Sequence, residues 1–125
     1  YSAVYYWNGA IMRSRLKNPD IKFGYPKEGY PIFMDSVAIL KDAKNVENAK
    51  LFMNFIMAPE NAALISAFAK YANGIKGSLE FMPEDMKTAP ELVIPAEFEK
   101  AGEFLKTCSP EVSALYSRIW TDIQK

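Results

Sequence analysis

The chain has 125 residues, of which half are hydrophobic and about a quarter are charged, as is ordinary for a globular domain with one core. Basic and acidic residues number 15 each, so the basic excess typical of nucleic-acid binders is missing. There is no histidine, which removes the commonest general base and metal ligand, and the single cysteine excludes an internal disulfide. No apolar run approaches the roughly 20 residues that span a membrane.

The beginning of the chain predicts a strand that is already under way. Residues 2–6 are mostly apolar and aromatic, and neither a methionine nor a charged leader precedes them. We therefore expect this chain to be a piece of a longer protein. Residues 7–9 then predict a turn, and residues 10–17 a short helix that ends at Asn18-Pro19.

Two further strands are predicted before the middle of the chain. Residues 21–25 alternate between apolar and other side chains, as in a strand. Residues 26–29 predict a loop, and residues 31–40 predict a strand interrupted by Asp35 and Ser36.

The second half is predicted to be mainly helical. Residues 46–57 carry apolar pairs on shared faces, and Pro59 suits the first turn of a helix that runs to about residue 70. Residues 71–77 predict a glycine-containing loop. Three prolines limit the next segment to short turns or helical pieces: Pro83, Pro90 and Pro95.

The last helix has the clearest signals. Ser109 can cap it and Pro110 fits its first position. One apolar stripe continues from there: Val112, Leu115, Tyr116, Ile119, Trp120 and Ile123. We expect Trp120 to lie in the core. The acidic residues between 80 and 103 are interpreted as a solvated face. Strands alternating with helices predict an α/β fold, although the few strands would make a small sheet.

The sequence gives no sign of an enzyme. It contains no nucleophile elbow, no glycine-rich phosphate loop and no zinc-ligand spacing. Acidic residues are plentiful, but nothing pairs two of them as a glycosidase requires. We expect neither catalysis, nor a cofactor, nor a metal.

Asp35 is the informative polar residue, because it lies within an otherwise apolar segment. A buried carboxylate needs a partner. It is either a structural group bound to nearby backbone N–H groups or a lysine, or an anchor for a cationic ligand, and the sequence leaves both open.

Aromatic residues around turns favour the second alternative. Trp7 and Tyr71 lie beside glycines, where rim packing alone would also explain them. Taken with Tyr30, Phe33 and Asp35, they suggest a site whose rings cover methylenes and attract ammonium groups. A polyamine has that chemistry.

The ordered motifs resemble one protein family. They are Trp7-Asn8-Gly9, Pro26-Lys27-Glu28-Gly29, Phe33-Met34-Asp35-Ser36-Val37-Ala38-Ile39, Asp42-Ala43-Lys44-Asn45, Asn54-Phe55, Pro59-Glu60 and Tyr71. Together they resemble the bacterial spermidine/putrescine-binding proteins, from which we expect the C-terminal part here. The resemblance implies a type II α/β clamshell that closes on its ligand. Residues 1–34 would belong to the second lobe, residues 35–77 to the first, and residues 78–125 would return to the second.

The resemblance also implies a function and a site. The protein would be a periplasmic or cell-surface receptor that hands a polyamine to an ABC permease. Trp7 would pack on the ligand, Asp35 would pair with an amine, and Tyr71 would line the site. Phe33 stands where the family often has tryptophan, and Cys108 falls near a family glutamine.

Two alternatives remain open from the sequence. The same fold could serve a receptor for iron or an anion. The chain could also be a self-associating fragment without a ligand site of its own, since an incomplete pair of lobes would expose apolar surface.

Overall fold

The computed structural model describes residues 3–125 and combines helices with a small sheet. In chain order the elements are α1 (Asn8–Lys17), β1 (Tyr30–Ile32), α2 (Val46–Ile56), α3 (Pro59–Ala69), α4 (Glu84–Lys87), β2 (Gly102–Phe104) and α5 (Pro110–Ile123). Two 3₁₀ turns, Ser78–Phe81 and Ala96–Phe98, lie between α3 and β2. The expected mixture of helix and sheet is therefore confirmed.

The helices follow their predicted signals. α3 begins at Pro59 and ends at Ala69, and the left-handed backbone of its C-cap Lys70 (φ 61°) closes it. α5 is capped by the Ser109 hydroxyl, which accepts a hydrogen bond from the Val112 N–H at 3.4 Å. The turn predicted at residues 7–9 is wrong, because α1 already begins at Asn8 and Trp7 is its extended N-cap.

Most of the residues predicted to form strands do not do so. Ser2 lies outside the described residues, and residues 3–6 form no strand. Residues 21–25 alternate between half-buried and exposed side chains as expected, yet they pair with nothing among the described residues. Of the strand predicted over residues 31–40, only the start belongs to β1. The predictions fail because a strand needs a neighbour to bond with, whereas side-chain alternation records only which face would be buried.

The sheet described here consists of β1 and β2 in parallel, with Tyr30 opposite Gly102 and Ile32 opposite Phe104. Gly29 leads into β1 with a positive φ of 103°. A Cβ at this position would lie 2.6 Å from the Ala101 carbonyl oxygen, so the close approach needs glycine. The predicted loop over residues 26–29 is confirmed as a turn closed by the Gly29 N–H and the Pro26 carbonyl.

The core is small and draws on distant segments. Met12 of α1 packs with Ala63 of α3 and with residues from the α4 region, namely Met82, Met86 and Ala89. α3 presents its alanine side to this core, while its large residues Leu64, Ile65 and Phe68 project outward.

Glu91 departs from the expected solvated acidic face, since it is 1% exposed. Its carboxylate accepts two hydrogen bonds from the Arg15 guanidinium at 2.6 and 2.9 Å. Burial raises the pKa of the Glu91 carboxyl, but bonding to Arg15 and to its own backbone outweighs burial and leaves the pKa below its ordinary value. Glu91 thus ties the end of α1 to the segment after α4.

The prediction that Trp120 lies in the core is wrong. It is 63% exposed, and α5 contains no buried residue. The helix is amphipathic, so its stripe lacks a cover within the described part of the chain.

The chain exposes 10,661 Å², whereas a compact monomer of 14.1 kDa exposes about 6,700 Å². Large apolar side chains on α2, α3 and α5 are among those exposed. Within residues 3–125 no single helix is long and apolar enough to cross a membrane, while α2 and α3 pass that test only together and are bent by 77°.

Candidate functional site

Three aromatic rings from distant parts of the chain meet at one place, which we call the site cluster: Trp7, Phe33 and Tyr71. The Trp7 and Phe33 rings are 4.9 Å apart between centroids, and the Phe33 and Tyr71 rings 5.9 Å apart, both edge to face. Trp7 and Phe33 are 55% and 43% exposed, and Tyr71 is half-buried. The cluster therefore packs against itself while leaving aromatic surface open to a ligand.

Trp7 is positioned by α1, whose first turn and last turn are both fastened to Glu91. The Asn8 amide donates to the Glu91 backbone carbonyl at 3.0 Å, and Arg15 binds the Glu91 carboxylate. Because Trp7 is the N-cap of α1, this attachment fixes where its ring can lie.

Tyr71 is positioned by the loop that follows α3. The Asn73 amide nitrogen donates to the Ser66 hydroxyl at 2.8 Å, and the Asn73 amide oxygen accepts from the Ser78 hydroxyl at 2.8 Å and the Ile75 N–H at 2.9 Å. Ser66 and Ser78 are both buried, so these bonds hold the loop on α3.

Asp35 follows Phe33 by two residues and is exposed. None of the ion pairs formed within residues 3–125 involves it. The expectation of a buried strand carboxylate is therefore wrong for this structure, because residues 33–40 do not pair in a strand. The carboxylate is accessible beside the site cluster in sequence.

Tyr30 belongs to a second group of rings, which we call the structural cluster: Phe23, Tyr25, Tyr30 and Phe98. The Tyr30 hydroxyl donates to the Phe98 carbonyl at 3.2 Å, and burial raises the pKa of the Tyr25 hydroxyl. Cys108 is an exposed free thiol between β2 and α5. The site cluster thus contains Trp7, Phe33 and Tyr71 but neither Tyr30 nor Cys108.

The model of the bacterial extracellular solute-binding protein family matches residues 2–94. The chain belongs to this family. It is 29% identical to the putrescine-binding periplasmic protein PotF of Escherichia coli over 94% of this chain and 32% of the relative. It is 33% identical to the putrescine-binding periplasmic protein SpuD of Pseudomonas aeruginosa over 83% of this chain and 28% of the relative.

A third relative is the spermidine/putrescine-binding periplasmic protein of E. coli, 31% identical over 78% of this chain and 28% of the relative. The chain spans about a third of the length of the curated relatives it matches. The family resemblance carried by the sequence motifs is confirmed.

Two residues of α1 contact the Tyr71 ring of the site cluster without being predicted as site residues. Gly9 belongs to the Trp7-Asn8-Gly9 motif, whereas Arg13 belongs to no motif. The Arg13 guanidinium carbon lies 5.7 Å from the centroid of the Tyr71 ring, and Gly9 lies directly against that ring. The four-residue spacing of Gly9 and Arg13 on a helix is the available signal, but it does not reveal which side chain the shared face meets.

The arrangement has groups that can bind a ligand. Open aromatic faces cover methylenes or attract a cation, and a free carboxylate can bind an ammonium group. In the part of the chain that the structure describes, no group of three or more metal-ligating side chains comes together.

Proposed function

We propose that this chain is part of an extracytoplasmic receptor that binds a polyamine, putrescine or spermidine, and delivers it to an ABC importer. The observation that carries the proposal is the meeting of Trp7, Phe33 and Tyr71, with Asp35, which forms no ion pair within residues 3–125, close by in sequence. The names of the relatives support it, since they are putrescine- or spermidine-binding and periplasmic. We propose no catalytic role.

Each part of a polyamine has a partner of suitable chemistry in this proposal. The methylene spacers lie on the rings of Trp7 and Phe33, and Tyr71 lines the same site. The Asp35 carboxylate accepts charge-assisted hydrogen bonds from a terminal ammonium group. An anion would be repelled by Asp35, which disfavours the alternative of an anion receptor.

The proposed architecture is a type II clamshell, of which this chain supplies the C-terminal part of both lobes. In this proposal residues 1–34 belong to the second lobe, residues 35–77 to the first, and residues 78–125 to the second again. The pairing of β1 with β2 supports a return of the chain to the second lobe.

Tryptophan fluorescence tests the proposal directly. Trp120→Phe leaves Trp7 as the only tryptophan, so a signal change reports on the site cluster. We expect putrescine and spermidine to give saturable changes. The matched control ligand is 1,4-butanediol, which has the spacer of putrescine without its charges. An equal response to the diol, or no response to either amine, would contradict polyamine binding.

The uncovered apolar surface favours a second candidate property, namely self-association of this chain. The exposed area exceeds that of a compact monomer by about 3,900 Å², and stable interfaces bury about 1,200–2,000 Å² in total. We expect sedimentation velocity to show dimers or larger species that grow with concentration. A monomer at every concentration would contradict self-association and leave the binding proposal untouched.

A chimera separates the two properties. In it, this chain replaces the matching third of the E. coli relative PotF, so the remainder of that protein can cover α2, α3 and α5. We expect the chimera to be monomeric and to bind putrescine through Trp7 and Asp35.

A further inference from the structure

The contact between α1 and Tyr71 has a specific geometry. A Cβ built on Gly9 would lie 2.7 Å from each of three Tyr71 ring atoms, Cε1, Cε2 and Cζ. These atoms lie on the circle of the ring, and a point equally distant from all three lies on the ring axis. The position that a Gly9 Cβ would occupy therefore lies over the centre of the Tyr71 ring, so any other residue type would force the ring or α1 to shift.

Arg13 acts on the same ring from one helical turn further along α1. Its guanidinium lies over the Tyr71 ring, and one of its nitrogens donates to the Ala69 carbonyl just before the Tyr71 loop. Residues four apart share a face of a helix, so Gly9 and Arg13 form one continuous contact surface for Tyr71. Phe33 meets the same ring nearly perpendicularly, at 83°.

We propose that Gly9 and Arg13 are positioning residues that hold the Tyr71 ring in the orientation required for ligand binding. Gly9 supplies a flat surface for the ring, and Arg13 secures both the ring and the backbone that carries it. The role in binding rests on the proposed function above. Rings that are already fixed lose less conformational freedom when the ligand arrives, which strengthens binding.

The first test is spectroscopic and needs no ligand. A proton above the face of an aromatic ring resonates upfield, so one Gly9 α-proton should be shifted upfield in the wild-type chain. Tyr71→Leu should return the chemical shift of this proton to its ordinary value, and Arg13→Gln should move the shift most of the way to that value. Arg118→Gln, on exposed α5, is the matched control and should leave the resonance unchanged. Ordinary Gly9 resonances in the wild-type chain would overturn the proposal.

The second test is a double-mutant cycle on stability. Gly9→Ala should lower the unfolding midpoint when Tyr71 is present. With Tyr71→Leu the effect should shrink or reverse, because alanine favours a helix once the ring is gone. Gly74→Ala is the matched control, since a Cβ there meets nothing within 4 Å. The same loss with and without the Tyr71 ring would overturn the proposed contact.

The third test separates positioning from charge, with putrescine as the probe. Arg13→Gln should weaken binding several-fold and Arg13→Lys should restore part of the loss, with Arg118→Gln unchanged. Tighter or unchanged binding by Arg13→Gln would show that Arg13 acts through its charge or not at all, and would overturn positioning. If both ligand-free tests succeed but no variant or wild-type chain binds putrescine, the proposed function fails while the Gly9 contact remains.

Discussion

The site cluster and the structural cluster use the same residue types in opposite ways. In the structural cluster Tyr25 stacks on Phe98 at 5.4 Å, and the Tyr30 hydroxyl bonds to a backbone carbonyl beside β2. In the site cluster the rings meet edge to face, and Trp7 and Phe33 stay substantially exposed. The first arrangement holds Tyr25 and Tyr30 against Phe98, in the 3₁₀ turn before β2, and the second keeps ring surface available.

The difference shows that aromatic residues near turns do not by themselves mark a binding site. The sequence groups Tyr30 with Trp7 and Phe33, yet the Tyr30 ring and its hydroxyl are both engaged elsewhere. What separates the clusters is exposed ring surface together with an exposed carboxylate, Asp35, two residues from Phe33. Five predictions test this distinction and the attachment of α1 on which it depends.

The largest expected effect comes from loosening α1, which carries Trp7 and Gly9. Arg15→Ala leaves the Glu91 carboxylate buried without its partner, which should cost about 3–5 kcal/mol of unfolding free energy. Denaturant unfolding measures this loss of unfolding free energy. Lys50→Ala, which breaks only an exposed pair with Glu47, is the control and should change stability by less than about 1 kcal/mol.

The ion pair between Arg15 and Glu91 makes the stability of the fold depend on pH. Folding lowers the pKa of the Glu91 carboxyl, so its stabilising contribution is complete above the ordinary value of 4.5. It is lost as pH falls through the lowered pKa of the folded state. Glu91→Gln should flatten this part of the stability profile. An unchanged profile in Glu91→Gln would show that Glu91 is not the titrating group.

The next effect in size concerns the ligand's charge. Asp35→Asn keeps the shape of the side chain but removes its charge, and should weaken putrescine binding by about 2 kcal/mol, roughly 30-fold. Asp42→Asn, in the same exposed segment, is the matched control. Calorimetric titration measures both. Equal affinities for the two variants would remove Asp35 from the site.

A smaller effect distinguishes the two clusters most sharply. Tyr30→Phe removes one hydrogen bond and should lower stability by about 1 kcal/mol without changing putrescine affinity. Trp7→Leu should instead weaken binding by about 1 kcal/mol. If Tyr30→Phe weakened binding as much as Trp7→Leu, the separation of the clusters would be wrong.

The smallest expected effect is an increase in putrescine affinity. Phe33→Trp enlarges the aromatic face and should strengthen binding by about 0.5 kcal/mol, a two- to three-fold tighter Kd. The variant Phe98→Trp, in the structural cluster, is the control and should give no gain. A weaker Kd for Phe33→Trp would show that the larger ring does not fit between Trp7 and Tyr71.

The sequence predicts helices better than strands, for a physical reason. The bonds of α2, α3 and α5 lie within each helix, so capping residues and spacing carry their signal. Residues 21–25 alternate as a strand should, but a ladder needs a partner elsewhere. The prediction for Trp120 is wrong for the same reason, because an apolar stripe shows which face of a helix is suited to burial and not whether another segment covers it.

The sequence predicts part of the candidate ligand-binding site. The motifs point to Trp7, Phe33 and Tyr71, which the structure brings together, whereas the ligand-binding roles of these residues and of Asp35 and Cys108 stay predictions. Gly9 belongs to the Trp7-Asn8-Gly9 motif, but the sequence reveals neither its contact with Tyr71 nor that of Arg13, since both contacts depend on how α1 packs against the end of α3.

Intermolecular nuclear Overhauser effects test the assignment of the site most directly. We predict that the methylene protons of bound putrescine show effects to the ring protons of Trp7, Phe33 and Tyr71, and none to those of Tyr25 or Tyr30. Effects to the rings of the structural cluster, or a bound ligand with no effect to Trp7 and Tyr71, would contradict that assignment.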